Sequence, residues 1–284
     1  MISSTVKELP KSTAEVEITI SWDEIKETYD KIFSTAAEEL EISGFRKGKA
    51  PKELVEKNIN KTKLYEEVVK EVIPKAYAKA VSEHKLTPVT SPKIEVIAAK
   101  EGESWVVKAS LALKPVINLK NYKEKIRELK KGKTKIWTPG NNAEKKEKDS
   151  KPTLDEIINA LLTEVEVELS DILVTEEANR LIANLIDQTQ KLGITVEQYL
   201  ISKGKTSEQL RAEYAKQAAK NLSIEFALSE IADKENITVS PQEIDNIISK
   251  VEKEEEKERL KKESYYLAHL LRQQKTLDFL SNIQ

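Results

Sequence analysis

The sequence predicts two domains of different class. The first is an α+β N-terminal domain, a small antiparallel sheet packed by helices, and the second is an elongated all-α C-terminal domain. Three observations lead there. Period-two apolar alternation, the pattern of a half-buried strand, occurs at Val16, Ile18 and Ile20 and returns at Ile94–Ala98 and Trp105–Leu113, with helical periodicity between. From Thr153 onward only helical periodicity remains, punctuated by cap motifs. Only seven glycines and nine prolines occur in 284 residues, which favours helix over a turn-rich fold.

The elements follow in order. After the strand ending at Ile20, Ser21 and Glu24 have the spacing of a capping box. Trp22, Ile25, Tyr29, Ile32, Phe33, Ala36 and Leu40 then fall on one helical face, and the pattern stops at Ser43-Gly44. A short helix is expected over Pro51–Asn58. A longer one is expected from a cap at Thr62, with Leu64, Val68, Val69, Val72, Tyr77 and Val81 as its apolar face and a kink at Pro74. The two later strands complete an order β-α-loop-α-α-β-β, in which helices cover one face of the sheet.

In the C-terminal part, Thr153 precedes Glu156, Thr195 precedes Gln198, Thr206 precedes Gln209, and Ser240 precedes Pro241 and Glu243. Each pair has the spacing from N-cap to third helical residue, and Pro241 suits the first helical position. Gly193 and Gly204 mark ends. The helices expected are 154–168, 175–192, 196–203, 207–234, 241–262 and 264–281. Between the two domains, Lys123–Pro152 is rich in Lys, Glu, Asn and Gly and reads as a basic flexible linker. The expected organisation is therefore 1–122, linker 123–152, and 153–284.

Composition narrows the function classes. Apolar residues make up 39%, charged residues 34% and aromatics 5% of the chain, enough for small cores and long amphipathic helices. The absence of cysteine excludes disulfides and thiol chemistry and is compatible with a reducing cytosol. No apolar signal core is visible at the N-terminus, and no run is long enough to span a membrane, so export is not expected. The formal net charge of −2 conceals a gradient. Residues 1–120 hold 20 Lys and Arg against 19 Asp and Glu, residues 121–151 hold 11 against 5, and residues 152–284 hold 16 against 25. An acidic C-terminal half argues against wrapping nucleic acid along the chain.

One segment stands apart. Gly44-Phe45-Arg46-Lys47-Gly48-Lys49-Ala50-Pro51 places three cations, two glycines and an aromatic residue between two helical patterns. Its glycines permit conformations closed to other residues, and its composition is that of an exposed, positively charged tip. This octapeptide, in its helix–loop–helix setting, resembles the ribosome-docking signature of the trigger factor family of bacterial chaperones. The likeness covers roughly residues 1–122. It extends to the helical half through Val165–Val174, Tyr199-Leu200, Gly204-Lys205, Glu230-Ile231-Ala232 and Ile237–Ser240. The resemblance implies that Gly44, Phe45, Arg46, Lys47, Gly48, Lys49 and Pro51 bind the large ribosomal subunit near the tunnel exit, on protein and rRNA. It also implies that the helical half binds unfolded nascent polypeptides in the cytoplasm without ATP, and that the chain self-associates off the ribosome.

The chain departs from the family where an isomerase domain of the FKBP type is expected. A compact domain takes at least roughly 50 residues, whereas 123–152 supplies 30, with Ile126, Leu129, Ile136 and Trp137 as its apolar set. The expectation is a chaperone without that domain, with no catalytic residues, cofactor or metal. His84 and His269 lie on different domains, and no phosphate-binding loop, GxGxxG or zinc spacing occurs. The competing readings are a prolyl isomerase like full-length relatives, a helical chaperone that does not bind ribosomes, and an RNA-binding protein using the basic loop.

Overall fold

A computed structural model describes residues 1–41, 45, 51–134 and 152–283. It divides into two compact units, Met1–Lys114 and Pro115–Gln284.

The first unit contains β1 (Ile2–Leu9), β2 (Thr13–Ile20), α1 (Trp22–Glu39), α2 (Lys52–Asn58), α3 (Lys61–Glu83), β3 (Lys93–Ala98) and β4 (Trp105–Ala112). The strands form an antiparallel sheet in the order β1-β2-β4-β3. Residues directly opposite in such a sheet share a face. Ala14, Val16, Ile18 and Ile20 of β2 therefore line up with Leu111, Ala109, Val107 and Trp105 of β4. All eight are buried beneath Ile25 of α1 and Val68, Val72, Ala76 and Ala80 of α3. Strand β1 is an addition to the sequence expectation. Its turn passes through Lys11 and Ser12 at φ 60° and 50° with no glycine, so the usual hairpin signal is missing. The cap of α3 is Asn60, whose side chain accepts from the Lys63 amide, rather than Thr62. Ser21 does sit at the N-cap of α1, but its hydroxyl accepts from the Met1 amine instead of capping the helix.

The second unit is mostly helical: α4 (Tyr122–Thr134), α5 (Leu154–Glu164), α6 (Asp171–Lys191), α7 (Val196–Lys203), α8 (Ser207–Lys234), α9 (Pro241–Ser249), α10 (Glu254–Lys262) and α11 (Ser264–Asn282). It also holds a two-stranded antiparallel ribbon, β5 (Val116–Asn118) with β6 (Glu166–Glu168), which the all-α expectation did not contain. Thr153, Thr195, Thr206 and Ser240 each form a complete capping box with Glu156, Gln198, Gln209 and Glu243. Gly204 ends α7 in the left-handed conformation, φ 62°.

Two boundaries move. The first domain ends at Lys114 rather than at residue 122, and the stretch expected to be linker begins with a helix. The reason is burial. Tyr122 and Ile126 of α4 and Leu119 before it join Ile157 and Leu161 of α5, Ala227 and Ile231 of α8 and Leu280 of α11 in one core. Ile126, assigned to an isolated linker, is thus a core residue of the helical unit. The predicted helix 241–262 is two helices separated at Lys250–Lys253. The helix expected to open at residue 175 opens at Asp171, capped by the buried Ser170 hydroxyl.

Candidate functional site

The basic octapeptide joins α1 to α2. Gly44, Arg46, Lys47, Gly48 and Lys49 lie outside the described residues, as does Trp137; Phe45 and Pro51 lie within them. What the structure defines is the base on which the segment stands. Helix α1 ends at Glu39, and Leu40 turns to extended backbone (φ −71°, ψ 127°) while its amide still bonds the Ala36 carbonyl at 3.0 Å. On the other side Pro51 is the N-cap of α2. Its fixed φ suits that position, and its carbonyl accepts from the amides of Leu54 at 2.9 Å and Val55 at 3.1 Å.

Both ends rest on one small hydrophobic cluster. Phe33 from α1, Val55 from α2 and Leu64 from α3 are buried together, and Ala36, Leu40 and Ile59 pack around them. An aromatic row ties this cluster to the sheet: Tyr29 stacks on Phe33 with centroids 6.2 Å apart, Tyr65 lies 5.2 Å from Tyr29, and Trp105 lies 6.2 Å from Tyr65. Burial, followed by the nearby Glu101 carboxylate, pushes the Tyr65 hydroxyl up to about 12. These rings therefore stay neutral at physiological pH and act as packing.

Phe45 is 44% exposed, so a large apolar side chain within the basic segment is available to a partner. On the neighbouring helices Lys31, Lys70 and Lys75 are already paired with Glu27, Glu67 and Glu71. Of the sequence-predicted site residues, then, Phe45 and Pro51 are placed, one exposed and one anchoring a helix start. The supporting residues Val55 and Ile59 were not singled out from sequence, although their i,i+4 spacing in a short helix is the signal that would have done so.

Besides Val116 and Leu154, the second unit exposes large apolar side chains in two groups. Leu192, Ile194 and Ile201 flank the α6–α7 turn, and Tyr265, Tyr266 and Leu270 lie on the first turns of α11. Among the described residues no group of three or more His, Asp or Glu side chains is arranged to hold a metal ion. His84 bonds the Ser4 hydroxyl at 3.0 Å in the first unit, and His269 lies 3.6 Å from Glu225 in the second. Among the described residues no helix is long and apolar enough to cross a membrane.

Comparison with known proteins agrees with this architecture. The model of the bacterial trigger factor protein family matches residues 2–139, and that of the trigger factor C-terminus matches residues 129–282. A trigger factor of Moorella thermoacetica is 34% identical over 121 residues, 43% of this chain and 27% of that protein. One of Streptococcus pneumoniae is 38% identical over 105 residues, 37% of this chain and 25% of that protein. The chain thus matches about a quarter of the length of these curated relatives. A solved structure reported for promiscuous substrate recognition in the folding and assembly activities of the trigger factor chaperone aligns with a TM-score of 0.66 at 12% identity. The alignment spans 99% of this chain and 100% of the solved one. At that identity the alignment speaks for the fold, and the family matches, one of which spans more than half the chain, carry the assignment: the chain belongs to the trigger factor family.

Proposed function

We propose that this protein is an ATP-independent molecular chaperone of the cytoplasm that docks at the ribosomal exit tunnel and shields nascent polypeptides. In this reading it has no prolyl isomerase activity of its own. The observation that carries the docking claim is the basic octapeptide spanning two helix ends that share one hydrophobic base. A rigid base lowers the entropy lost when a loop is immobilised on a partner. Arg46 offers a planar fork to phosphate and carboxylate oxygens, and Lys47 and Lys49 add point charges. Phe45 supplies the apolar anchor that such charged rims surround in binding hot spots.

Client binding is assigned to the helical unit, where Leu192, Ile201, Tyr265 and Tyr266 are largely exposed. Isolated exposed apolar residues are ordinary on protein surfaces, but large ones grouped at helix ends are suited to transient contact with unfolded chains. The absence of isomerase activity is supported by the two family matches, which overlap at residues 129–139 and leave no stretch between them.

Co-sedimentation with ribosomes tests the docking. Wild type is expected in the ribosomal pellet at low salt and to leave it as salt rises, because phosphate contacts release counterions. The triple variant Phe45→Ala, Arg46→Ala, Lys47→Ala is expected in the supernatant with an unchanged far-UV circular dichroism spectrum. Undiminished sedimentation of that variant sinks the docking reading.

A further inference from the structure

The helical layer of the first unit stops one strand short of the sheet edge. In the cross-strand row Val6–Val16–Ala109–Ile94 the two central residues are fully buried, whereas Ile94 is 39% exposed. In the next row, Ser4–Ile18–Val107–Val96, Ile18 and Val107 are 1% exposed and Val96 is 49% exposed. Ile94 and Val96 share the face of the buried core, yet among the described residues no helix packs extensively on β3. Ala99, just past β3, and Trp105 at the start of β4 line a pocket of about 620 Å³ together with Tyr65 and Val69 of α3 and the charged Glu66, Lys70 and Glu101.

The same strand is an open hydrogen-bonding edge. Among the described residues β3 pairs with β4 on one side and with no strand on the other. Every second residue of an edge strand points its amide and carbonyl outward, and such groups match only another extended backbone. The opposite edge is attended differently: at β1 the Lys79 ammonium bonds the Ile2 carbonyl, and His84 bonds Ser4. Edges are usually blunted by inward-pointing charge or internal proline. In β3 the charged residues Lys93 and Glu95 lie on the other face and pair with each other at 3.3 Å, and a register shift interrupts the ladder only after Val96.

We propose that β3 accepts an unfolded client segment as a fifth, extended strand. The segment would pair with the backbone over Lys93–Val96. Its alternate apolar side chains would cover Ile94 and Val96, and the next one would enter the Tyr65–Trp105 pocket. The occupant is an extended polypeptide with alternating apolar residues and little net charge, because a backbone ladder, an apolar face and an internally neutralised charge pair ask for no more than that. This inference rests on the chaperone reading and deepens it by naming a second contact for clients outside the helical unit.

The test uses the full chain and a fluorescein-labelled peptide of alternating valine and threonine. Two further peptides are N-methylated at alternate backbone nitrogens, one in each phase. Binding of the parent peptide is expected. One methylated phase should bind at least about tenfold more weakly, and the other as well as the parent, since only one phase faces β3. The Val96→Lys variant should lose at least about tenfold in affinity, with an unchanged circular dichroism spectrum and melting temperature. Equal binding of both methylated phases, or unchanged affinity of the Val96→Lys variant, overturns the proposal. So does a wild type that dimerises through this edge while the variant is monomeric. Suppression of client aggregation by the wild type separates the levels. Its absence sinks the chaperone reading, whereas suppression together with indifferent peptides sinks the β3 edge alone.

Discussion

The Tyr122 hydroxyl donates to Glu235 Oε1 at 2.9 Å, joining the first residue of α4 to the residue that ends α8, 113 positions later in the chain. Lys123 pairs with the same carboxylate at 2.7 Å, and the Lys123 and Lys234 ammoniums lie 5.9 and 5.8 Å from the Tyr122 ring centroid. Burial, with help from Glu235, raises the Tyr122 pKa, while Lys123 first and Tyr122 next hold Glu235 below the ordinary carboxylate value. This knot adds a polar tie to the core burial of Tyr122 and Ile126 that places α4 in the helical unit although its sequence is dominated by lysine and glutamate.

Replacing Tyr122 with Phe removes one part-buried hydrogen bond to a charged group and leaves Glu235 its lysine partner. The expected cost is about 1.5–2 kcal/mol, the lower part of the range for bonds to charged groups. Calorimetry of the full chain measures it, on the transition that Ile157→Ala also lowers, since Ile157 lies in the same core. Tyr265→Phe is the control, because Tyr265 is 94% exposed. Equal effects of the two substitutions would remove the Tyr122–Glu235 bond from the stabilising set.

Phe33 is buried with Val55 and Leu64 in the cluster that holds the two helix ends flanking the basic segment. Phe33→Ala is expected to cost about 3–5 kcal/mol of local stability. It should speed amide exchange at Leu54, Val55 and Ile59 while leaving the β2–β4 ladder protected. If the base is what presents the loop, ribosome co-sedimentation falls as well, although Phe33 itself touches no partner. Unchanged exchange in α2 would show that α2 is held by something other than this cluster.

Much of this was legible in the sequence, for identifiable reasons. The four capping boxes were readable because the hydroxyl and the third-position Glu or Gln are local in sequence, so no tertiary contact competes with them. Strands β2, β3 and β4 showed their alternation. Strand β1 did not declare itself, since its turn uses Lys11 and Ser12 in the left-handed region without glycine. Helix α4 was hidden because its membership depends on partners far along the chain, Ile231 and Leu280 among them. The octapeptide was read as a motif, yet its base was not: Val55 and Ile59 make sense only once α1 and α3 are beside them. The uncovered face of β3 was equally invisible, for alternation predicts which residues share a face but not where the helices above it stop.

Glu243 closes the capping box of α9 and pairs with Lys275 of α11 at 2.5 Å. Lys275 first, and the Ser240 amide next, hold its carboxyl at about 2, against an ordinary value of 4.5. A carboxyl lowered on folding contributes stability that is present above its unfolded value and lost as pH falls through the folded one. The contact between α9 and α11 is therefore expected to weaken between about pH 4.5 and 2, in that direction only. A carbon-detected titration of the Glu243 carboxyl measures this, with Lys275→Ala moving the midpoint upward towards the ordinary value. A midpoint unchanged by that substitution would assign the shift to Ser240 alone.

Helix α4 ends at Thr134 and α5 begins at Leu154, and Ile126 and Ile157 bring the two helices into one core. The intervening residues, 135–153, number far fewer than the roughly 50 of a compact domain. Prolyl isomerisation in water is slow, tens to hundreds of seconds, so catalysis is easily seen as a faster refolding phase in a client limited by one X–Pro bond. The expected result is a refolding rate independent of added chain, in the same concentration range where aggregation of a denatured client is suppressed. A rate that rises in proportion to chain concentration would place an isomerase site in this protein and would require the function to be rewritten. Aggregation suppression without rate enhancement would establish that shielding of unfolded segments is separable from prolyl catalysis in this family member.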